Sequence, residues 1–105
     1  MLSVDVTADL SVTSAVNERL ALETRDVAAT FERHDVVAMK ADWTNRSQPI
    51  ADFLADHGRY GIPFYLLYRP RREPHLFGEL ITKQEVVRVV EEAGDVLAQR
   101  RAAAD

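Results

Sequence analysis

Leu2, Val4, Val6 and Ala8 alternate with Ser3, Asp5 and Thr7, a period of two that predicts a strand over about residues 2–8. From Ser11 the spacing changes. Val12, Val16 and Leu20 recur every four residues as one apolar stripe of a helix, with Ser11 as its N-cap. Thr24 reads as a second cap ahead of Val27, Ala28 and Phe31, so the helical region divides near Leu22–Thr24 and closes at Arg33-His34-Asp35. The run Val36-Val37-Ala38-Met39-Lys40-Ala41 is β-prone and nearly continuous, which predicts a strand covered on both faces.

Thr44, Asn45 and Ser47 offer caps ahead of Pro49, which a first helical turn tolerates, and a helix over about 48–57 follows. Gly58 ends it as a residue free to take positive φ, and Gly61 loosens the chain before Ile62-Pro63. Phe64-Tyr65-Leu66-Leu67-Tyr68 is the next strand, the turn Arg69–Glu73 reverses it, and His75–Ile81 returns as its partner. Thr82-Lys83-Gln84-Glu85 is a capping box that opens a last helix with Val86, Val90, Ala93 and Leu97 as its buried stripe. Its Ala- and Arg-rich end frays from Arg100. The predicted order is β-α-β-α-β-β-α, without internal repeats. Trp43, Phe64, Tyr65 and Tyr68 are assigned to the core.

A chain of 105 residues, 47% hydrophobic and 29% charged, suits one globular domain over 1–105. The net charge of -4 argues against nucleic acid, which demands a clustered excess of Lys and Arg. The dense basic run, Arg69, Arg71 and Arg72, reads with its prolines as a hairpin tip. No apolar run approaches the roughly 18–20 residues of a membrane span, and no signal segment is visible. The absence of cysteine excludes disulfides, Fe–S clusters and thiolate zinc sites, and three dispersed histidines make a poor metal site, so no metal and no cofactor is expected.

Several segments carry a resemblance when taken in order: Val4-Asp5-Val6-Thr7-Ala8-Asp9, Val16-Asn17-Glu18, Lys40-Ala41-Asp42-Trp43-Thr44 and Gly61-Ile62-Pro63. From Val4 to about Ala93 the chain resembles the C-terminal thioredoxin-like domain of the thiol:disulfide interchange protein DsbD. The resemblance implies an α/β thioredoxin-like three-layer sandwich with a mixed central sheet of about four strands, lacking the first strand and helix of the family. It further implies a periplasmic domain of an inner-membrane protein, of which this chain would be a fragment. The implied partners are periplasmic redox proteins and a membrane-embedded electron-donor domain of the kind that serves cytochrome c biogenesis. Without a preceding strand, the Val36–Ala41 strand becomes a sheet edge, and a homodimer contact along it is expected.

In that family the first strand leads to Trp-Cys-x-x-Cys-Lys. Here the same stretch reads Leu10-Ser11-Val12-Thr13-Ser14-Ala15, so Ser11 and Ser14 stand at the cysteine positions and Leu10 and Ala15 also depart. By resemblance Asp5 and Glu18 are the carboxylates that tune proton transfer, while Leu10, Ile62 and Pro63 contact substrate. From the residues alone, Asp5 is either desolvated with a raised pKa or a partly solvated strand residue, and Glu18 is equally an exposed helix residue. Pro63 is expected to be cis, against the plain alternative of a proline at a strand start. The backbone at Ile62 would then pair with an extended peptide.

A serine hydroxyl at a helix N-terminus ionises too reluctantly to act as a thiolate does and has no reversible sulfur chemistry. Hydrolysis by Ser11 would require a base such as His57 within hydrogen-bond reach, set against Ser11 as a simple N-cap and His57 as a surface residue. Three readings follow: a protein-disulfide reductase domain made redox-inactive by its serines, a non-catalytic module that binds peptides or partners beside Pro63, and an assembly element using its open edge.

Overall fold

The computed structural model describes residues 1–8, 11–45 and 47–104, with side chains through residue 99. Strand β1 (Leu2–Thr7) leads into helix α1 (Val12–Asn17), a π-helical turn (Glu18–Leu22) and α2 (Arg25–Arg33). Then follow β2 (Val37–Asp42), α3 (Gln48–Asp56), β3 (Phe64–Tyr68), β4 (His75–Leu76) and α4 (Lys83–Ala104). The strands lie in the order β2-β1-β3-β4. β1 runs parallel to β2 and antiparallel to β3, and β3 runs antiparallel to β4. The result is an α/β thioredoxin-like sandwich with a mixed four-stranded sheet.

Strand alternation decides which layer each residue joins. Val4, Val6, Phe64 and Leu66 point to one face, where Trp43 and Leu54 of α3 close over them. Tyr65 and Leu67 point to the other, packing with Ala21, Val27, Phe77, Ile81 and the α4 residues Val86, Val89 and Val90. Asp5 lies on this second face, opposite Tyr65 on β3 and Lys40 on β2. Asp5 keeps step with Ser3 and Thr7 in the polar phase of β1, and it alone of the three is buried.

Caps at the expected places set the helix boundaries. The Ser14 N–H donates to Ser11 Oγ (3.1 Å) and the Val27 N–H to Thr24 Oγ1 (3.4 Å). Gly58 takes φ +71 at the end of α3, and the Arg69 guanidinium closes the hairpin tip on the Glu73 carbonyl. The capping box is half made: the Glu85 N–H donates to Thr82 Oγ1 (3.2 Å), while the Glu85 carboxylate pairs with His75 (3.7 Å). α3 starts at Ser47 without a side-chain cap. The Thr44 N–H and hydroxyl donate to Asp42 instead.

Four expectations change. The Val12, Val16 and Leu20 stripe is exposed (78, 38 and 65%), and α1 and the π-turn bury Ser14, Asn17 and Ala21 in its place. The helix rolls because Asn17 secures three polar partners inside, outweighing the apolar stripe. The strand at Val36–Ala41 is the sheet edge expected of it, but it is not covered on both faces: Val37 and Met39 are 65 and 51% exposed. β4 is only His75–Leu76, because after the Phe77 N–H bonds the Tyr65 carbonyl (3.0 Å) the chain is drawn off toward Asn17. The last helix continues to Ala104, past the expected fraying point.

Gly94 marks where α2 meets α4. A Cβ added there would run into the His34 ring at Nδ1 and Cε1. Gly94→Ala is therefore expected to cost about 1–3 kcal/mol by overpacking, reversing the roughly 1 kcal/mol that alanine gains in a helix. In a His34→Ala background the same change should stabilise. Urea unfolding of the four proteins checks this, and equal effects in both backgrounds would remove the His34 contact as the cause.

Candidate functional site

The site lies where β1 and β2 end beside the start of α1. The Ser11 N–H donates to the Ala8 carbonyl (3.1 Å), and Ser11 sits in extended backbone with its hydroxyl turned to cap the helix. A cleft of about 290 Å³ opens here. Ser11, Ser14, Ala15 and Glu18 line it from the helical side, and Thr7, Lys40 and Asp42 from the strand ends. Leu10, expected to contact substrate, lies outside the described residues.

Ser14 is 3% exposed, and its hydroxyl makes no hydrogen bond, although it lies close enough to the Tyr65 hydroxyl to favour ionisation of that phenol. Ser11 stands at the rim as the N-cap. Behind them Asp5 is 6% exposed, with neither carboxylate oxygen hydrogen-bonded. Desolvation, and secondarily the negative charge of Glu18, push its pKa up to about 6, while Lys40 works against the shift. Glu18 is half-buried and pairs with Lys40 Nζ at 3.8 Å. Asp5 is thus the desolvated carboxyl, and Glu18 sits half-buried at the cleft wall.

Asn17 is the residue whose importance the sequence pattern concealed. Its Nδ2 donates to the Tyr65 hydroxyl (3.0 Å) and to the Glu79 carbonyl (2.6 Å), and its Oδ1 accepts from the Ile81 N–H (3.1 Å). It ties α1 to β3 and to the segment after β4. Burial holds the Tyr65 phenol above its ordinary pKa despite the Asn17 bond. Lys40 and Asp42 were also unrecognised as cleft residues. The Thr44 hydroxyl and N–H hold the Asp42 carboxyl below the usual range.

The Ile62-Pro63 peptide bond is cis. Ile62 is half-buried against the α3-side core and Pro63 is buried. The Ser11–His57 pairing has no support: His57 Nδ1 lies 2.9 Å from the Phe53 carbonyl, and the ring packs at a tilt against Phe53 and Phe64, with centroids 4.8 and 5.7 Å away. His75 packs edge-on to Phe77 and His34 lies over Gly94. Among the described residues no group of three or more His, Cys, Asp or Glu is placed to hold a metal ion, and no helix is long and apolar enough to cross a membrane.

A strand running into a capped helix, two small polar residues three apart at that junction, and a proline loop opening β3 define a thioredoxin-type architecture. A thioredoxin-like family profile matches residues 1–70, and the chain belongs to that family. Two similar solved structures are the C-terminal domain of Neisseria meningitidis DsbD in its reduced and oxidised forms. Each is 16% identical over 88% of this chain. The TM-scores are 0.70 and 0.71, covering 79 and 78% of those chains. No curated protein matches the chain by sequence.

Proposed function

We infer that this chain is a redox-inactive thioredoxin-like domain of the thiol:disulfide interchange type, with serine hydroxyls where the exchange chemistry needs thiols. The observation that carries the reading is the pair Ser11 and Ser14 at the β1–α1 junction, joined by the Ser14 N–H to Ser11 Oγ bond, in a chain without any cysteine. At this junction a thiol would gain from free N–H groups, whereas a hydroxyl, with a far higher pKa, stays neutral and cannot form or accept an S–S bond. Periplasmic residence, redox protein partners and a membrane-embedded electron donor belong to the same reading, through the likeness to the DsbD domains.

Asp5, Glu18 and Lys40 surround the vacant chemistry. In a thiol-bearing site a buried carboxyl with a pKa near 6 would take and return protons during exchange; in this chain the same group has no thiol to serve. A second reading, a binding module without chemistry, draws support from the exposed Val12 and Val16 beside the cleft and from the cis Ile62-Pro63 bond, next to which an extended peptide would pair.

The Ser11→Cys/Ser14→Cys variant tests the first reading. Expected results are reversible disulfide formation between positions 11 and 14 and dithiothreitol-dependent reduction of insulin, with no turnover by the serine protein. If the variant forms the disulfide yet does not turn over substrate, while the serine protein binds peptides to which Val12→Asp blocks binding, the module reading replaces it.

A further inference from the structure

Strand β2 ends the sheet, pairing with β1 alone among the described residues. Its backbone polarity is readable. The Val37 N–H donates to the Met1 carbonyl (2.9 Å) and the Trp43 N–H to the Thr7 carbonyl (2.7 Å). In a parallel ladder each residue directs its N–H and C=O to the same side, and successive residues alternate. Val37, Met39 and Ala41 therefore bond β1, while Ala38 and Lys40 direct their backbone groups outward.

Edge strands are ordinarily guarded by proline, bulges or inward charges. β2 carries no proline, and its two charged residues fall on the face opposite Val37 and Met39, Lys40 turned to Glu18 at 3.8 Å and Asp42 accepting from Thr44. The side chains facing the α3 side are apolar: Val37 is 65% and Met39 51% exposed. This apolar surface continues inward along the row Val37–Leu2–Tyr68, where Leu2 is half-buried and Tyr68 is 36% exposed.

We propose that two copies of this chain associate through β2, antiparallel about a two-fold axis at Met39, merging their sheets into one of eight strands. Such an axis brings like faces together, so the residue on it opposes itself. With Met39 there, Val37 opposes Ala41 and the apolar face runs unbroken across the junction. Ala38 opposes Lys40, and these two, both directed outward, exchange their N–H and C=O groups. Moving the axis to Lys40 sets ammonium against ammonium, and moving it to Ala38 shortens the ladder. One register thus satisfies the full strand, and this self-complementarity singles out a second copy as the occupant. A contact made by one strand edge belongs to the weak, transient class of interface, so a dissociation constant on the order of 100 μM is expected.

Amide exchange and sedimentation of the full chain at ~20 μM and ~1 mM test it, concentrations that bracket that affinity. The amides of Ala38 and Lys40 should gain several-fold protection at the higher concentration as a dimer forms, while those of Val37, Met39 and Ala41 are protected at both. Met39→Lys sets like charges on the axis, and Ala38→Pro removes an outward donor without touching the β1 ladder. Each should weaken dimerisation by at least ~10-fold with the circular dichroism spectrum unchanged. If one variant does not fold, the other decides. A protein that stays monomeric at the higher concentration, or a dimer indifferent to the substitution, overturns the proposal.

Discussion

Asn17→Ala is expected to lower the unfolding free energy by about 3 kcal/mol, because it strands the Ile81 N–H and the Tyr65 hydroxyl in buried surroundings and also releases the partly buried Glu79 carbonyl. Asn17 itself is 1% exposed, so no water replaces the amide without rearrangement. The three bonds reach from a helix to a strand and a connecting segment. Their loss should therefore also free residues 77–81 for proteolysis at concentrations where the parent resists. Tyr65→Phe removes one of the three partners and should cost only about 1 kcal/mol. Val16→Ala, on the same helix but exposed, should cost under ~0.5 kcal/mol. Urea unfolding with a common m-value provides the comparison, and an Asn17→Ala loss below that of Tyr65→Phe would sink the account.

Stability should fall, not rise, as pH climbs from about 4 to about 6, and Asp5 should be responsible. Its pKa is raised from 3.8 to about 6 on folding, so in this window the native state holds a proton that the unfolded chain has released. The contribution is therefore complete below the unfolded value and lost as pH rises through the folded one. A shift of about two units converts to about 3 kcal/mol at 1.36 kcal/mol per unit. Asp42 acts in the opposite sense: its depressed pKa adds stability above the unfolded value that acid removes, and its exposure keeps the effect small. Subtracting the profile of Asp5→Asn from that of the parent isolates Asp5. Glu18→Gln should move the midpoint of the difference down and Lys40→Met should move it up, following the two charges that act on Asp5. A flat difference profile would show that Asp5 is not desolvated in solution.

Both effects arise at polar residues buried on one sheet face, and they differ in how far the chain announced them. Asp5 was visible because strand alternation set it among positions facing inward; whether it was desolvated depended on what covered that face. Asn17 carried no such mark. Helical periodicity put Val12, Val16 and Leu20 on the apparent inner side, and only the three hydrogen bonds of Asn17 explain why the helix presents the other. The π-turn at Glu18–Leu22 was equally hidden, since i→i+5 bonding, such as that of the Glu23 N–H to the Glu18 carbonyl, has no residue signature. The cleft divides the same way. Ser11 and Ser14 were legible from their place between strand and helix, whereas Lys40 and Asp42 joined them through the parallel register of β1 and β2.

The residues alone determined the order of elements, the caps at Ser11 and Thr24, the turn at Gly58 and the absence of any thiol. Each follows from local chemistry: side-chain periodicity, a hydroxyl beside unpaired N–H groups, a residue without Cβ, an atom that is not there. Tertiary structure decided which side of α1 is buried, where β4 stops, that Val37 and Met39 of β2 stand exposed, and that burial lifts the Asp5 carboxyl to about 6. These depend on energies that exist only between elements distant in sequence, where desolvation and shared hydrogen bonds outweigh the preference of any one segment.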